Sequence, residues 1–476
     1  MDEVIGWTAR RAVAELRAGE VRPSELVEAS LARIADVDGA VNALPTVVGE
    51  RALDRARGLE ETARVTGTEV DRGWLGGLPL AIKDLTDVAG VRTTRGSTLF
   101  ADRVPETSDL LVERLESKGG IVVAKSNTPE FGNGAHTTNE VFGATRNPWD
   151  TTRSPGGSSG GATAALTTGQ VWLAQGTDVG GSLRTPASFC GVVGLRPTPG
   201  RVVRGPGGNP FDDVNVSGPM GRTVGDVALG LDAMAGVDRR DPMSLPVPDR
   251  AYVDVVDHAE PPRRLAFTPD LDGYTTVDPE VVVICRSAVA RLAALGTDVV
   301  EASPDTTGLH EAYHLLRARL QADFGEVIGD RLDETNADVQ WNVGHGRDLT
   351  GADQARGRRL RAEVYARWVA FLDDVDLLAL PAAIVPPPSL ETRSLSSYRG
   401  MDFATYIDWV KITFLATTVA SPALVVPVGV TASGLPVGLQ LVGPPRREDV
   451  VLAAGAVLEA DLGLDPRPID PRGPMP

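Results

Sequence analysis

Apolar residues recur every three or four positions along the first 65 residues, a spacing that places them on one face of a helix. Pro23 and Ser24 stand at the beginning of the clearest of these runs and are typical of a helix start. From Gly76 onward the pattern changes to short apolar runs separated by Gly, Pro, Asn and Thr, which is typical of buried strands. The sequence therefore predicts a helical N-terminal segment, residues 1–65, followed by a region built on strands.

The runs after Gly76 indicate the type of sheet. Buried strands are predicted in LPLAIKD, GIVVAKSN and QVWLAQGT, with a crossover helix, DLLVERLESKG, between the first two. A strand, helix, strand order is typical of an α/β sheet. Further helices are predicted over 223–234 and 278–295. Two late segments, FLATTVASPALVVPVGV and GLPVGLQLVG, predict strands that return to the sheet before a last helix, DVVLAAGAVLEADLG.

These elements predict a single large α/β domain, residues 66–465, with a central mixed β-sheet surrounded by helices. Within it, residues 236–414 are richer in charge and hold four of the five histidines, which indicates a variable covering region. The Pro-rich tail, residues 466–476, is predicted to be disordered.

Charge and composition narrow the classes of function. The chain has 47 basic and 64 acidic residues, and its net charge of −17 repels nucleic acid and anionic lipid surfaces. Only two cysteines occur, and no run approaches the roughly 18 apolar residues that span a bilayer. We therefore expect a cytoplasmic protein with neither a nucleic-acid nor a membrane partner.

The serines of GGSSG, residues 156–160, match the G-x-S-x-G nucleophile elbow of α/β-hydrolases. That elbow follows a strand, whereas the preceding RNPWDTTRSP holds two prolines and no apolar run. Phosphate-binding loop patterns with their lysine are absent from the sequence. The context therefore favours neither an elbow nor nucleotide binding.

The segment HEAYH matches the H-E-x-x-H motif, in which two histidines one helical turn apart bind zinc and the glutamate activates water. A metallopeptidase also needs a third ligand. The residues concerned are His310, Glu311 and His314, with Glu326 and Glu334 as candidate third ligands. A zinc peptidase is therefore one alternative function.

Lysine is rare in this chain, which has only four. Two of them, Lys83 and Lys125, lie inside predicted apolar strands. Burial lowers the pKa of a lysine toward neutrality, whereas an arginine in the same place stays charged. Either lysine is thus a candidate general base.

The turn GTDVGGSLR follows a predicted strand and suits a nucleophile. Where no Cβ obstructs them, successive backbone N–H groups converge on one point and can hold an oxyanion. Ser182 would lie at the edge of this turn as the nucleophile, Asp178 and Arg184 would hold the turn by an ion pair, and Ser158 would relay a proton between Ser182 and a lysine. The predicted oxyanion hole consists of the backbone amides of Val179, Gly180, Gly181 and Ser182.

The chain resembles the amidase signature enzymes in several long motifs that occur in that family's order. These motifs are GLPLAIKD, AKSNTPEF, TTNEVFGATRNPWD, SPGGSSGGATAAL, GTDVGGSLRTPASFCGVVGLRPT, GPMGRTVGDVAL and GLPVGLQLVG. They cover roughly residues 70–235 and 415–460. The resemblance implies the amidase signature fold and hydrolysis of a non-peptide carboxylic amide, with release of ammonia or an amine.

The resemblance also implies roles for individual residues. It makes Lys83 the base in preference to Lys125, Ser158 a bridging serine in a cis peptide, and Ser182 the nucleophile of an acyl-enzyme. The oxyanion hole falls on the backbone amides of 179–182. No cofactor and no metal are implied; the partner is a small-molecule amide, and a homodimer stays open.

Two motifs depart from the family's pattern and bear on the alternatives. TTVASPAL stands where many members have Asn-Leu-x-Gly before the proline, and NVSGPM stands where DxxGPM is common. These departures give no support to the main alternative from within the family, the glutaminase-type subunit of a tRNA-dependent amidotransferase. The identity of the amide, or of an ester in its place, stays open.

Overall fold

The computed structural model describes residues 2–66, 71–205 and 209–473. Its α-helices are α1 Asp2–Ile5, α2 Ala9–Ala18, α3 Pro23–Val41, α4 Gly49–Thr66, α5 Leu110–Ser117, α6 Gly160–Thr167, α7 Thr185–Cys190, α8 Val224–Met234, α9 Tyr252–Asp257, α10 Pro279–Ala294, α11 Leu309–Ile328, α12 Ala337–Arg347, α13 Gly351–Leu372, α14 Phe414–Thr418 and α15 Glu448–Leu462. Its 3-10 helices are Thr98–Phe100, Glu130–Gly132, Gly329–Glu334 and Asp408–Thr413.

The strands are β1 Thr46–Val47, β2 Pro79–Lys83, β3 Ile121–Ser126, β4 Thr138–Asn139, β5 Gly143–Ala144, β6 Leu173–Asp178, β7 Val193–Arg196, β8 Val216–Gly221, β9 Arg264–Phe267, β10 Asp298–Glu301, β11 Leu377–Pro381, β12 Ser397–Tyr398, β13 Met401–Asp402, β14 Ala423–Val430 and β15 Pro436–Val442. Within the described residues, eleven of them form one mixed sheet in the order β1-β3-β2-β6-β8-β7-β14-β15-β11-β9-β10. The predicted mixed α/β sheet is confirmed.

The part of the sheet that carries the site is built around β2. This strand pairs in parallel with β3 on one side and β6 on the other, and α5 links β2 to β3 as the pattern predicts. On the far side of β6, β8 pairs in antiparallel. The carboxyl ends of β2 and β6 therefore lie side by side, and the chain leaves both strands at the same edge of the sheet.

The N-terminal segment is helical, as its periodicity predicts. Pro23 is the first residue of α3, where its missing N–H costs no hydrogen bond. Thr223 and Asp278 cap α8 and α10 by accepting backbone hydrogen bonds from Asp226 and Glu280. These helix starts follow the expected boundaries closely.

The late apolar segment from 414 to 430 is predicted as strand throughout, and this prediction is wrong for its first part. Residues Phe414–Thr418 form α14, and β14 begins only at Ala423. All five residues of α14 are buried, and a short run that is apolar on every side carries no periodicity that separates helix from strand. Two residues after the helix, Ala420 adopts a φ of 53° and turns the chain toward β14.

The covering region, residues 236–414, also contributes strands to the central sheet. Three of its segments, β9, β11 and β10, extend the central sheet beyond β15. Its helices α11, α12 and α13 lie close together, with α11 in contact with both of the others and with α14. The sequence does not predict these strands, because short runs such as RLAF and LLALP lie between longer charged helices that dilute the strand signal.

The C-terminal tail is predicted to be disordered. Residues 466–473 form no helix or strand, yet the Ile469 N–H donates to Thr167 O at 2.9 Å and the Arg472 N–H donates to Pro148 O at 2.9 Å. Residues 474–476 lie outside the described residues. In the parts of the chain that the structure covers, none of the helices combines the length and apolar composition needed to cross a bilayer.

Candidate active site

A cavity of about 70 Å³ lies at the sheet edge where β2 and β6 end, and the hydroxyl-bearing residues Ser158, Thr177 and Ser182 line it. It adjoins a larger cavity of about 410 Å³, with which it shares Thr177 and Phe131 among other residues. Ligand sites of small molecules fall in the range of about 300–1,000 Å³. The combined space suits a small-molecule substrate.

Lys83, the last residue of β2, lies directly beside this cavity. The side chain is fully buried, and its Nζ lies 2.7 Å from Ser158 Oγ, 2.9 Å from Ser159 Oγ and 3.0 Å from Thr177 Oγ1. Three hydroxyls thus surround the amine. Burial lowers the pKa of Lys83 well below its ordinary value, and the nearby charge of Asp178 opposes that shift only in part.

Lys125 has different surroundings, although it is equally buried. Its Nζ donates to Thr86 O at 2.6 Å and to Thr93 Oγ1 at 2.8 Å, and it lies 3.5 Å from Asp84 Oδ1. Burial lowers the pKa of Lys125 to about 8, against the attraction of Asp84. The structure therefore places Lys83, and not Lys125, beside the serines.

Ser158 lies in the loop before α6, and the peptide bond between Gly157 and Ser158 is cis. This matches the cis peptide that the resemblance implies. A Cβ at Gly157 would lie 2.8 Å from Gly134 O, so the close approach of the two loops requires glycine there. The loop is further fixed by Thr137, whose Oγ1 donates to Gly156 O at 2.8 Å.

Ser182 lies on the turn between β6 and α7 and is half-buried. It lines the same cavity as Ser158, but no hydrogen bond joins their hydroxyls among the residues that the structure describes. Gly181 has φ 93°, and a Cβ there would collide with Thr413. A Cβ at Gly180 would likewise collide with the Tyr313 hydroxyl. Two neighbouring elements thus close on the turn where only glycine leaves room.

The backbone amides of this turn differ in what they bond. The Gly181 N–H donates to Asp178 Oδ1 at 3.2 Å. In the described part of the chain, no hydrogen-bond acceptor faces the N–H groups of Val179, Gly180 or Ser182. The Asp178 carboxylate thus already accepts the Gly181 N–H, and the role of the turn's amides as an oxyanion hole stays a prediction.

Asp178 holds the turn through two buried guanidiniums. The predicted ion pair with Arg184 is present at 2.8 Å, and Arg196 adds a second contact at 3.0 Å. Burial alone would raise the pKa of Asp178, but Arg184 and Arg196 together hold it well below its ordinary value. Arg184 continues the network by donating to Thr413 O at 2.7 Å.

Replacing Asp178 by asparagine is expected to destabilise the protein by about 3–5 kcal/mol, because two buried guanidiniums lose their counter-charge. Denaturant unfolding followed by circular dichroism measures this. The matched control is Asp465→Asn, which removes a carboxylate from an exposed pair with Arg467 and is expected to cost less than about 1 kcal/mol. Equal losses in the two variants would contradict the assigned role of Asp178.

Sequence reasoning missed several residues of the site. Ser159 and Thr177 contact the Lys83 amine, and Arg196 completes the Asp178 network. Ser159 and Arg196 lie in motifs that carry the resemblance, GGSSGG and GLRPT, so their surroundings are marked in the sequence although their contacts are not. The contacts depend on strand register and loop approach.

The HEAYH segment lies on α11, and its geometry contradicts the zinc-peptidase interpretation. The Glu311 carboxylate, 44% exposed, pairs with Arg356 at 2.5 Å. Neither histidine lines the cavity that holds the serines. The acidic residue that does approach them is Asp408, not Glu326 or Glu334.

Fold and cavity together define the class of protein, a mixed α/β enzyme whose site combines serine hydroxyls, a buried amine and the backbone amides of a glycine-rich turn. The sequence profile of the Amidase family matches residues 25–452, and the chain belongs to that family. The resemblance to the amidase signature enzymes is thereby confirmed.

Comparison with individual proteins agrees with this membership. An acylamidase of Rhodococcus erythropolis is 35% identical over 474 residues, which cover 96% of each chain. One of the subunits of the glutamyl-tRNA(Gln) amidotransferase of Anaeromyxobacter sp. (strain K) is 35% identical over 494 residues, 97% of each chain. The crystal structure of a bacterial aryl acylamidase of the amidase signature family has a TM-score of 0.89 at 26% identity, covering 98% of this chain and 99% of that one.

Proposed function

We propose that this amidase-family hydrolase cleaves the C–N bond of a small, non-peptide carboxylic amide through an acyl-enzyme on Ser182. The observation that carries the proposal is the 2.7 Å approach of the buried Lys83 amine to Ser158 Oγ, in the wall of the cavity that Ser182 also lines. A lysine whose pKa is lowered by burial can take a proton near neutral pH.

In the proposed first step, neutral Lys83 accepts the Ser158 proton while Ser158 accepts the proton of Ser182. The Ser182 oxygen then attacks the amide carbonyl, and the free amides of Val179, Gly180 and Ser182 stabilise the negative charge that develops. The proton returns through Ser158 to the leaving nitrogen. Water hydrolyses the acyl-enzyme by the same relay, with Lys83 again as the base. The Ser158–Ser182 hydrogen bond would form on substrate binding, as such bonds often do.

A panel of aliphatic, aromatic and amino-acid amides, tested on the purified chain, is the direct experiment. We expect release of ammonia or amine from at least one class, and covalent labelling of Ser182 by a serine-reactive phosphonate, located by peptide mass spectrometry. Turnover without labelling at Ser182, or labelling at another serine, would contradict the proposal.

A second candidate is the glutaminase-type subunit of a tRNA-dependent amidotransferase, because one of the similar relatives is named as such a subunit over 97% of this chain. The two functions are distinguished by whether activity requires a partner protein. The amidase should turn over simple amides alone, whereas the subunit should hydrolyse glutamine only with its partner protein. Co-purification with such a partner would favour the second candidate.

Arg317 supports a further proposal about the substrate. It lines the site cavity from α11, and its guanidinium contacts the neutral groups of Asn133, Tyr406 and Asn342. Among the described residues, no carboxylate lies within ion-pair distance of it. A buried cation without a counter-charge favours an anionic group in the adjoining cavity. The preferred substrate therefore carries a carboxylate besides its amide.

Replacing Arg317 by methionine is expected to lower kcat/KM by a factor of about 10–100 for the monoamide of a dicarboxylic acid relative to a neutral amide of equal length. Because the two substrates are compared on one variant, the ratio does not depend on the folded fraction. Arg356→Met, which removes a guanidinium paired with the exposed Glu311, is the control and should leave the ratio unchanged. Equal losses on both substrates would refute the carboxylate preference.

The two cysteines bear on the compartment in which the protein works. Cys190 and Cys285 are both free and buried, which supports the proposal of a reducing, cytoplasmic compartment. A homodimer stays a prediction.

A further inference from the structure

The two histidines of HEAYH form a cluster with Asp408 that the proposed reaction does not use. His310 and His314 stand one turn apart on α11, and Asp408 begins the 3-10 helix Asp408–Thr413. Asp408 Oδ1 lies 2.9 Å from His314 Nε2 and 4.0 Å from His310 Nε2. The three potential ligand atoms all lie within 4.8 Å of one another.

The surroundings of this cluster suit a metal ion. The second oxygen of Asp408, Oδ2, accepts the Thr405 N–H at 2.9 Å, which fixes the carboxylate with Oδ1 toward the histidines. Asp408 is only 4% exposed in its side chain, whereas His310 is 47% exposed, so solvent reaches the cluster from the histidine side. Metal–ligand bonds near 2.1 Å set a ligand spacing of about 3.4 Å. Binding would therefore bring His310 Nε2 closer to Asp408 Oδ1 than its present 4.0 Å and move His314 Nε2 outward from its present 2.9 Å.

We propose that His310, His314 and Asp408 bind one divalent transition-metal ion, with water completing the coordination. Two imidazoles and one carboxylate are the donors that zinc, nickel and cobalt prefer, whereas magnesium and calcium require oxygen ligands throughout. Lys411 interacts electrostatically with both Asp408 and His310. Its positive charge repels any bound cation. This repulsion lowers the affinity most for a hard ion such as magnesium, which would be held by the Asp408 carboxylate alone.

The position of the site indicates what the metal does. Tyr313 precedes His314, stacks on Phe414 at 3.5 Å between ring centroids, and occupies the space beside Gly180. Thr413, at the other end of the segment that Asp408 begins, occupies the space beside Gly181. A metal held by α11 and residues 408–413 thus links the two elements that pack against the nucleophile turn, which is the turn between β6 and α7 that carries Ser182. Its role is structural, and it holds no reacting atom.

The test uses the full chain without an affinity tag, first freed of metal with a chelator. Isothermal titration with ZnCl2 and with NiCl2 should show one site per chain, and the same ions should raise the Tm, while MgCl2 should do neither. His310→Ala and His314→Ala should each weaken binding at least about tenfold and abolish the rise in Tm. His345→Ala, which removes an exposed histidine from α12, is the matched control and should bind like the parent chain.

Lys411→Met gives a second, independent readout, because removal of the opposing charge should tighten binding of both ions several-fold. Asp408→Asn is the remaining ligand variant. Because Asp408 is buried, this variant can fail to fold, and the test then rests on metal binding by His310→Ala, which changes an exposed residue. Absence of a one-to-one site in the parent chain would overturn the proposal. So would unchanged binding in the His310→Ala, His314→Ala double variant. None of these outcomes depends on amide hydrolysis, so the metal site and the proposed function stand or fall separately.

Discussion

Ser182→Ala is expected to lower kcat for the best amide by a factor on the order of 10⁶, because no other hydroxyl lies at the same place on the nucleophile turn. The fold should survive. Ser182 is half-buried, and the turn is held by the hydrogen bonds of Asp178 to the Gly181 and Leu183 N–H groups, which the substitution leaves in place. Initial rates, phosphonate labelling and the unfolding midpoint should be measured on the same preparation.

Ser159→Ala is the matched control for this variant. Ser159 is buried and contacts the Lys83 amine at 2.9 Å, but it does not line the cavity. Its loss removes one hydrogen bond to an ionisable group and should reduce kcat by no more than about a hundredfold. A Ser182→Ala protein that keeps its activity and carries the phosphonate on Ser158 would instead favour the nucleophile elbow in GGSSG.

The choice between Lys83 and Lys125 shows where prediction from the residues ends. Both lysines lie in apolar strands, and the sequence predicts both strands. In the sheet, Lys125 pairs with Ile82, the neighbour of Lys83, so the two lysines point to opposite faces. Register between β2 and β3 depends on packing along the whole strand pair, and the sequence does not display it. Only the family resemblance selects Lys83 without the structure.

The oxyanion amides show a similar limit on a smaller scale. Glycine content predicts a turn whose N–H groups are accessible. It does not indicate that the Asp178 side chain folds back to accept the Gly181 N–H, since that depends on the rotamer that Arg184 and Arg196 impose. Arg196 lies on a strand eighteen residues further along the chain, and its contact with Asp178 arises only when β7 joins the sheet.

The fold is easier to predict where elements alternate along the chain. The β2–α5–β3 unit has distinct strand and helix periods, and residues typical of helix starts mark α3, α8 and α10. Prediction fails for α14, whose residues are buried all round, and for the strands of 236–414, which are short and separated by long helices. In both cases tertiary burial, and not local pattern, selects the conformation.

Lys83→Met is expected to lower kcat by a factor on the order of 10⁴, because the proton relay loses its base while Ser158 and Ser182 remain. In the parent enzyme, kcat/KM should rise with pH and level off above the lowered pKa of Lys83, since only the neutral amine accepts a proton. The variant should keep a residual rate without this rise. Lys118→Met, which removes an amine from the surface pair with Asp71, is the control and should retain the parent profile.

The same substitution should change how stability depends on pH. Between the lowered pKa of Lys83 in the folded chain and about 10.4 in the unfolded chain, only the unfolded chain binds the proton. The parent protein should therefore gain stability as pH rises through this window, by up to about 1.4 kcal/mol per pH unit more than Lys83→Met. Subtracting the two curves cancels the contribution of Lys125, whose pKa is also lowered. Parallel curves from pH 7 to 9 would mean that Lys83 titrates alike in both states, and an amine of ordinary basicity could not act as the proposed base at neutral pH.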